Sequence, residues 1–176
     1  MTTLHDHAWI TRRAGLLLCT ATLLGAPRAW AVQPGQDAPS LELPGLAGPV
    51  SLAALKGKVV YLDFWASWCA PCKQSFPWLD LMQARYGARG LVVVAVNLDR
   101  QRAAADGFLA QLPARFVVAF DSTGDSARRY AVQGMPSSVL IGADGVVLQR
   151  HVGFRDDDKA PLEAAIVAAL GRHPRS

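Results

Sequence analysis

Val59-Val60-Tyr61-Leu62-Asp63-Phe64-Trp65-Ala66-Ser67-Trp68-Cys69-Ala70-Pro71-Cys72 is the stretch that decides the fold. Its first seven residues are apolar or aromatic except Asp63. A run of that kind predicts a central strand buried on both faces. Residues 71–86 then carry helical spacing, with Phe76, Leu79 and Met82 on one stripe and Pro77 predicting a kink. Cys69 and Cys72 therefore stand where a buried strand gives way to a helix. Pro71 suits the first helical turn, where its missing N–H would have no partner in any case.

Outward from this segment, strand and helix signals alternate. Residues 91–97 read as a second buried strand, 101–112 as an Ala-rich helix, 116–120 as a short strand and 125–132 as a short helix. Residues 137–141 and 146–152, joined by the Asp144-Gly145 turn, predict an antiparallel hairpin, and 159–170 a closing helix. Upstream, the Pro- and Gly-rich residues 32–49 read as an extended lead-in, with Leu41-Glu42-Leu43 as an edge strand. Asp156-Asp157-Asp158 is read as a cap for the last helix in preference to a metal site. The order implies an α/β fold in one domain, a mixed sheet flanked by helices.

The chain has 176 residues, 51% hydrophobic and 18% charged, enough for one domain with a real core. Its formal charge is +4, and Arg12, Arg13 and Arg28 against Asp6 account for half of it. So weak a bias, without basic runs interleaved with aromatics, argues against nucleic acid as a partner. Arg12 and Arg13, the apolar residues 14–26 and Ala29-Trp30-Ala31 read as a cleavable export signal. The apolar run falls short of the roughly 20 residues that span a bilayer, which disfavours an uncleaved anchor. The expected organisation is a signal peptide at 1–31, an N-terminal extension at 32–50 and the domain at 51–172, placed in the periplasm or cell envelope. Arg12-Arg13 only faintly matches a twin-arginine signal, so the export route stays open.

Without the signal, which contains Cys19, two cysteines remain. A bridge closing four residues constrains the unfolded chain little, so the spacing suits chemistry better than stapling. At a helix N-terminus, unpaired N–H groups and the helix dipole favour thiolate over thiol. Cys69 is thus the expected nucleophile, with a lowered pKa, and Cys72 the resolver of a redox-active disulfide. Zinc would need further ligands, and only His151 and His173 are available. Cu(I) held by the dithiol and His151 remains open, with His151 itself read as a solvent-facing strand residue. Asp63, inside the buried run, should have a raised pKa unless it sits at the strand end and bonds backbone.

Residues 61–72 strongly resemble the active-site segment of thioredoxin, and Gly134-Met135-Pro136-Ser137 is similar to the cis-proline loop of the same superfamily. The exported context, the lead-in and the Cys-x-Pro-Cys-x-x-x-Phe-Pro run resemble the TlpA-like branch of periplasmic thiol:disulfide oxidoreductases. The resemblance covers about residues 33–170 and implies a thioredoxin fold. It further implies a cis bond before Pro136, with Met135 offering its backbone to a substrate, and Trp68 shaping the surface beside the nucleophile. Asp63, six residues before Cys69, matches the buried acid that exchanges a proton with the resolving thiol. Many TlpA-like reductases have a Glu where this chain has Ser75, so the Asp63 arrangement is expected here.

The implied partners are protein disulfides or thiols and a membrane thiol-reductant donor. No cofactor or stable metal is expected, and the chain is expected to be a monomer. The expected direction is reductive. An oxidase or isomerase, a peroxiredoxin-like antioxidant and a copper-binding or copper-delivery module are the alternatives. For the peroxide reading, the usual Pro and Thr before the cysteine are missing from residues 64–68. Trp65 is expected in the core, Trp78 in either environment, and Lys73 on the solvated helix surface.

Overall fold

A computed structural model describes residues 32–172. The expected signal segment and His173 lie outside the described residues. The strands are β1 (Glu42–Leu43), β2 (Val50–Ser51), β3 (Val59–Trp65), β4 (Leu91–Asn97), β5 (Val117–Phe120), β6 (Ser137–Ile141) and β7 (Val147–Val152). The helices are α1 (Ala70–Tyr86), α2 (Arg102–Gln111), α3 (Asp125–Arg129) and α4 (Lys159–Gly171).

All seven residues of β3 are buried, and β3 is the middle strand of a sheet ordered β5-β4-β3-β6-β7. β4 runs parallel to β3, and β5 parallel to β4. Parallel neighbours need a crossover, which α1 and α2 supply. β6 pairs antiparallel with both β3 and β7, so the hairpin closes the other side of the sheet. Gly145, at φ 89°, gives the hairpin turn its left-handed residue.

Successive strand side chains point to opposite faces. Tyr61 and Trp65 face a core shared with Phe76 and Met82 of α1, Phe108 of α2 and Ile166 of α4. The Trp65 ring lies 4.8 Å from Phe76 and 4.7 Å from Phe108, between centroids. Leu62 and Phe64 face a second core built with Val32, Leu41 and Val50 of the lead-in and with Tyr130, just after α3. By the same alternation Asp63 belongs to the first face, the one that α1 and α4 cover.

Several elements differ from expectation for identifiable reasons. Glu42–Leu43 pairs with β2 in a separate two-stranded ribbon and is not an edge of the main sheet. The lead-in instead reaches that sheet through single bonds, from Phe120 N–H to Pro44 O and from Leu46 N–H to Val118 O. It also lies along the hairpin, with Gly35 N–H donating to Val147 O and Val147 N–H to Gln36 O. α3 stops at Arg129, short of Val132, because Tyr130 turns into the core and Ala131 adopts a left-handed φ of 49°. The three acids form a short 3-10 turn, and Asp158 accepts the Arg155 N–H at 2.7 Å, so it caps this turn and not α4. No helix among the described residues is long and apolar enough to cross a membrane.

Because Leu41 is 1% exposed within the second core, the lead-in should be structural. Leu41→Ala is expected to lower unfolding stability by about 2–5 kcal/mol in urea titrations. An unchanged urea midpoint would show that the lead-in merely decorates the domain.

Candidate active site

β3 ends at Trp65, and residues 66–68 turn the chain into α1. Cys69 is the N-cap of α1, with extended backbone, and its Sγ accepts the Cys72 N–H at 3.3 Å. Pro71 lies in the first turn, where it removes no helical hydrogen bond. That turn holds no acidic side chain, so nothing there offsets the positive end of the helix dipole. Cys69 and Cys72 are joined by a disulfide, with Cα atoms 5.3 Å apart. Cys72 is fully buried. Cys69 is itself only 4% exposed, yet it lines an open cleft of about 470 Å³ with Trp68, Pro71, Leu98, Val132 and Met135. Trp68 stands out at the cleft rim, 73% exposed.

The opposite wall is the loop before β6. Its Met135-Pro136 peptide bond is cis, and Gly153 N–H donates to Pro136 O at 2.8 Å. Ser137 Oγ donates to Gly134 O at 2.6 Å. Arg150 donates from its guanidinium to the carbonyls of Tyr130 and Ala131 at 3.1 and 3.3 Å. These bonds fix the loop that brings Met135 to the cleft.

A polar clamp that sequence reasoning missed holds the other side. Ser67 donates both its N–H and its hydroxyl to the Asp99 carboxylate, at 2.9 and 3.0 Å. Asn97 donates its side-chain amide to Asp99 at 2.8 Å and accepts the Asp99 N–H at 3.1 Å. The available signal was a pair of polar residues at the carboxyl end of a buried strand, where open α/β sheets place their working sites. The clamp ties the loop preceding Cys69 to the end of β4.

Asp63 sits inside β3, 3% exposed, and its Oδ2 has no hydrogen-bond partner. It is therefore not a strand-end carboxylate bonded to backbone. Burial pushes its pKa well above the ordinary carboxylate range. Its register partners are Ala95 on β4 and Ser138 on β6. Ser138 Oγ accepts the Tyr61 hydroxyl at 2.8 Å, and burial, then the nearby Asp63 charge, raises the Tyr61 pKa. Ser75 is buried and donates to the Cys72 carbonyl at 3.0 Å. Trp65 and Trp78 are both core residues, and Lys73 is exposed.

His151 corrects the sequence reading. It was expected to face solvent, but its side chain keeps only 26% of its surface, and Nε2 lies 3.3 Å from Asp158 Oδ2. The reason is register: His151 pairs with Ser138, which puts it on the face covered by α4. Its neighbours include Tyr61, Ser138 and Gln149, none of them a cysteine. Among the described residues, no group of three or more His, Cys, Asp or Glu is arranged to hold a metal ion.

The sequence model of the Redoxin family matches residues 33–166. The chain belongs to the Redoxin family. This Redoxin is 34% identical over 130 residues to the thiol-disulfide oxidoreductase ResA of Bacillus thuringiensis subsp. konkukian, covering 73% of this chain and 74% of the relative. It is 32% identical over 149 residues to ResA of Bacillus subtilis, covering 80% and 83%. A crystal structure from Chlorobium tepidum, assigned as a thiol:disulfide interchange protein DsbE, is 57% identical with a TM-score of 0.78. That likeness covers 80% of this chain and 99% of the other. The Redoxin is thus a thiol-disulfide oxidoreductase of the thioredoxin superfamily, on its TlpA- and ResA-like side.

The Asp63 environment gives a signed pH dependence. A buried carboxyl favours its neutral form, so its share of stability is present below the ordinary pKa near about 4. That share is lost as pH rises through the higher folded value. Asp63→Asn, which stays neutral, should therefore melt at higher temperature than wild type at about pH 8, the gap closing towards about pH 4. A gap that does not change with pH would place the Asp63 carboxylate in a solvated site.

Proposed function

We propose that this Redoxin is an exported reductase of protein disulfides in which Cys69 is the nucleophile, Cys72 the resolver and Asp63 the proton acceptor. The observation that carries the reading is the position of Cys69 Sγ, which caps α1 and lines the cleft while Cys72 lies buried one turn along. In the reduced enzyme a Cys69 thiolate would take up the same N–H and dipole that the sulfur now meets.

The reaction balances in two exchanges. The Cys69 thiolate attacks one sulfur of a substrate disulfide; the new S–S bond forms as the old one breaks, and a substrate thiolate leaves. Cys72 then loses its proton and attacks Cys69 Sγ, giving the Cys69–Cys72 disulfide and the second substrate thiol. Two electrons pass to the substrate. Asp63 lies on the side of the sheet that carries α1, and its raised pKa suits it to accept the Cys72 proton near neutral pH. Ser75, in the place of the TlpA-type glutamate, has no comparable basicity and is already donating to the Cys72 carbonyl.

Trp68, Met135 and the Pro136 loop form the walls against which an extended substrate segment would rest. Such walls suit a protein chain better than a peroxide. The electron supply is a membrane thiol donor, and residues 1–31 carry the export signal. The dithiol alone does not bind copper through His151 in this reading, because that side chain faces Asp158.

Cys72→Ser should trap mixed disulfides with envelope proteins that disappear on reduction and are absent from Cys69→Ser. Equal adducts with Cys69→Ser would contradict the assignment of the nucleophile. Reductive direction predicts a potential nearer thioredoxin's roughly −270 mV than the roughly −120 mV of a strong oxidant. A value at the oxidising end would make this enzyme an oxidase.

A further inference from the structure

Asp63 is a buried acid with few ways to exchange its proton. Its Oδ2 has no hydrogen-bond partner, and it is covered on its own face by the apolar core that α1 completes. Across the sheet towards β4 its register partner is Ala95, which offers no polar side chain. Towards β6 the partner is Ser138, and directly opposed strand residues have Cβ atoms about 4.5–5.5 Å apart. Ser138 pairs in turn with His151 on β7. Asp63, Ser138 and His151 thus form one polar row running sideways across the buried face of three adjacent strands.

The row leads outwards. Tyr61, Ser138, Gln149 and His151 line a cavity of about 10 Å³ beneath Leu162 and Ala165 of α4. That is close to the size of one water molecule, and the polar side chains around it supply the two to four partners such a water needs. Ser138 Oγ accepts from Tyr61, which leaves its own proton available to a further acceptor. Nε2 of His151 is buried and makes no directed hydrogen bond, although Asp158 Oδ2 lies 3.3 Å away. The same ring keeps 26% of its side-chain surface in solvent. It therefore spans the barrier between the cavity and bulk water. Imidazole can take a proton at one ring nitrogen and give one from the other.

We infer that Ser138 and His151 form a lateral proton path that connects Asp63 to solvent. The inference rests on the proposed role of Asp63 as proton acceptor and adds how that acid is readied to act. Before Cys72 can give its proton to Asp63, the carboxyl passes its own proton to the Ser138 side, and His151 releases one to water. No electrons move along the path. Ser138 and His151 touch no substrate, so they are positioning residues for proton traffic. The charged or titratable groups facing His151 are Asp158 from the turn before α4 and Tyr61 from β3, with Asp63 beyond Ser138; the α4 residues over the cavity are apolar.

The test follows a single turnover of the reduced full chain with oxidised glutathione, separating mixed-disulfide formation from its resolution. His151→Ala should slow resolution roughly tenfold, well below the about 10²–10⁴ of a direct general base. Attack by Cys69, read as alkylation by iodoacetamide, should not change. Imidazole added to His151→Ala should restore the rate, with a pH profile that follows the added buffer. Ser138→Ala should slow resolution without imidazole rescue. Circular dichroism and melting establish that each variant is folded. Resolution that is unchanged in folded His151→Ala, or slowed equally at every pH and indifferent to imidazole, overturns the path. Asp63→Asn runs alongside: if it resolves at the wild-type rate, the acceptor role fails and the path fails with it. If Asp63→Asn is slow while His151→Ala is normal, only the path fails.

Discussion

Cys69 Sγ accepts the N–H of Cys72 because residue 69 is where β3 hands over to α1, and this one contact governs the rest of the site. A sulfur can hold that place only if the strand before it cannot slide and the helix after it cannot tilt. Burial of every residue of β3 prevents the first. The packing of Phe76 and Met82 against Trp65 and Phe108 prevents the second. Ser67, tied to Asp99, removes the remaining freedom of the intervening turn. Catalytic geometry here is a property of the core, delivered to the surface at one helix terminus.

The same core carries a polar exception. A carboxyl at position 63 replaces an apolar side chain in the most buried strand, and its unpartnered oxygen is a standing cost to stability. The cost is smaller below the raised pKa, where the carboxyl is neutral, and grows as pH rises through it. Polar neighbours lie towards β6 and β7, in the row through Tyr61, Ser138 and His151. The asymmetry separates an apolar side, next to Ala95, from a side that carries polar residues under α4.

The succession of strands and helices along the chain, the strand-to-helix position of the cysteines and the burial of Asp63 were legible in the sequence because each rests on local pattern. A continuous apolar run, a proline at the first turn and a charge inside the run all leave marks within ten residues. What stayed hidden depends on register. Nothing near His151 reveals that it pairs with Ser138 and so turns under α4, since one residue of slip would send it to the other face. Asp99 is 32 residues from Ser67, and only the parallel pairing of β3 with β4 brings their ends together. The lead-in likewise reads as an extension by composition, while Val32, Leu41 and Val50 are core residues.

The direct test of the account is the ionisation of Cys69 in the reduced protein, followed as the pH dependence of its alkylation rate in Cys72→Ser. A sulfur held at an uncompensated helix N-terminus should titrate below the roughly 8.5 of a free thiol. A midpoint at or above that value would contradict the claim that the end of α1 activates this cysteine.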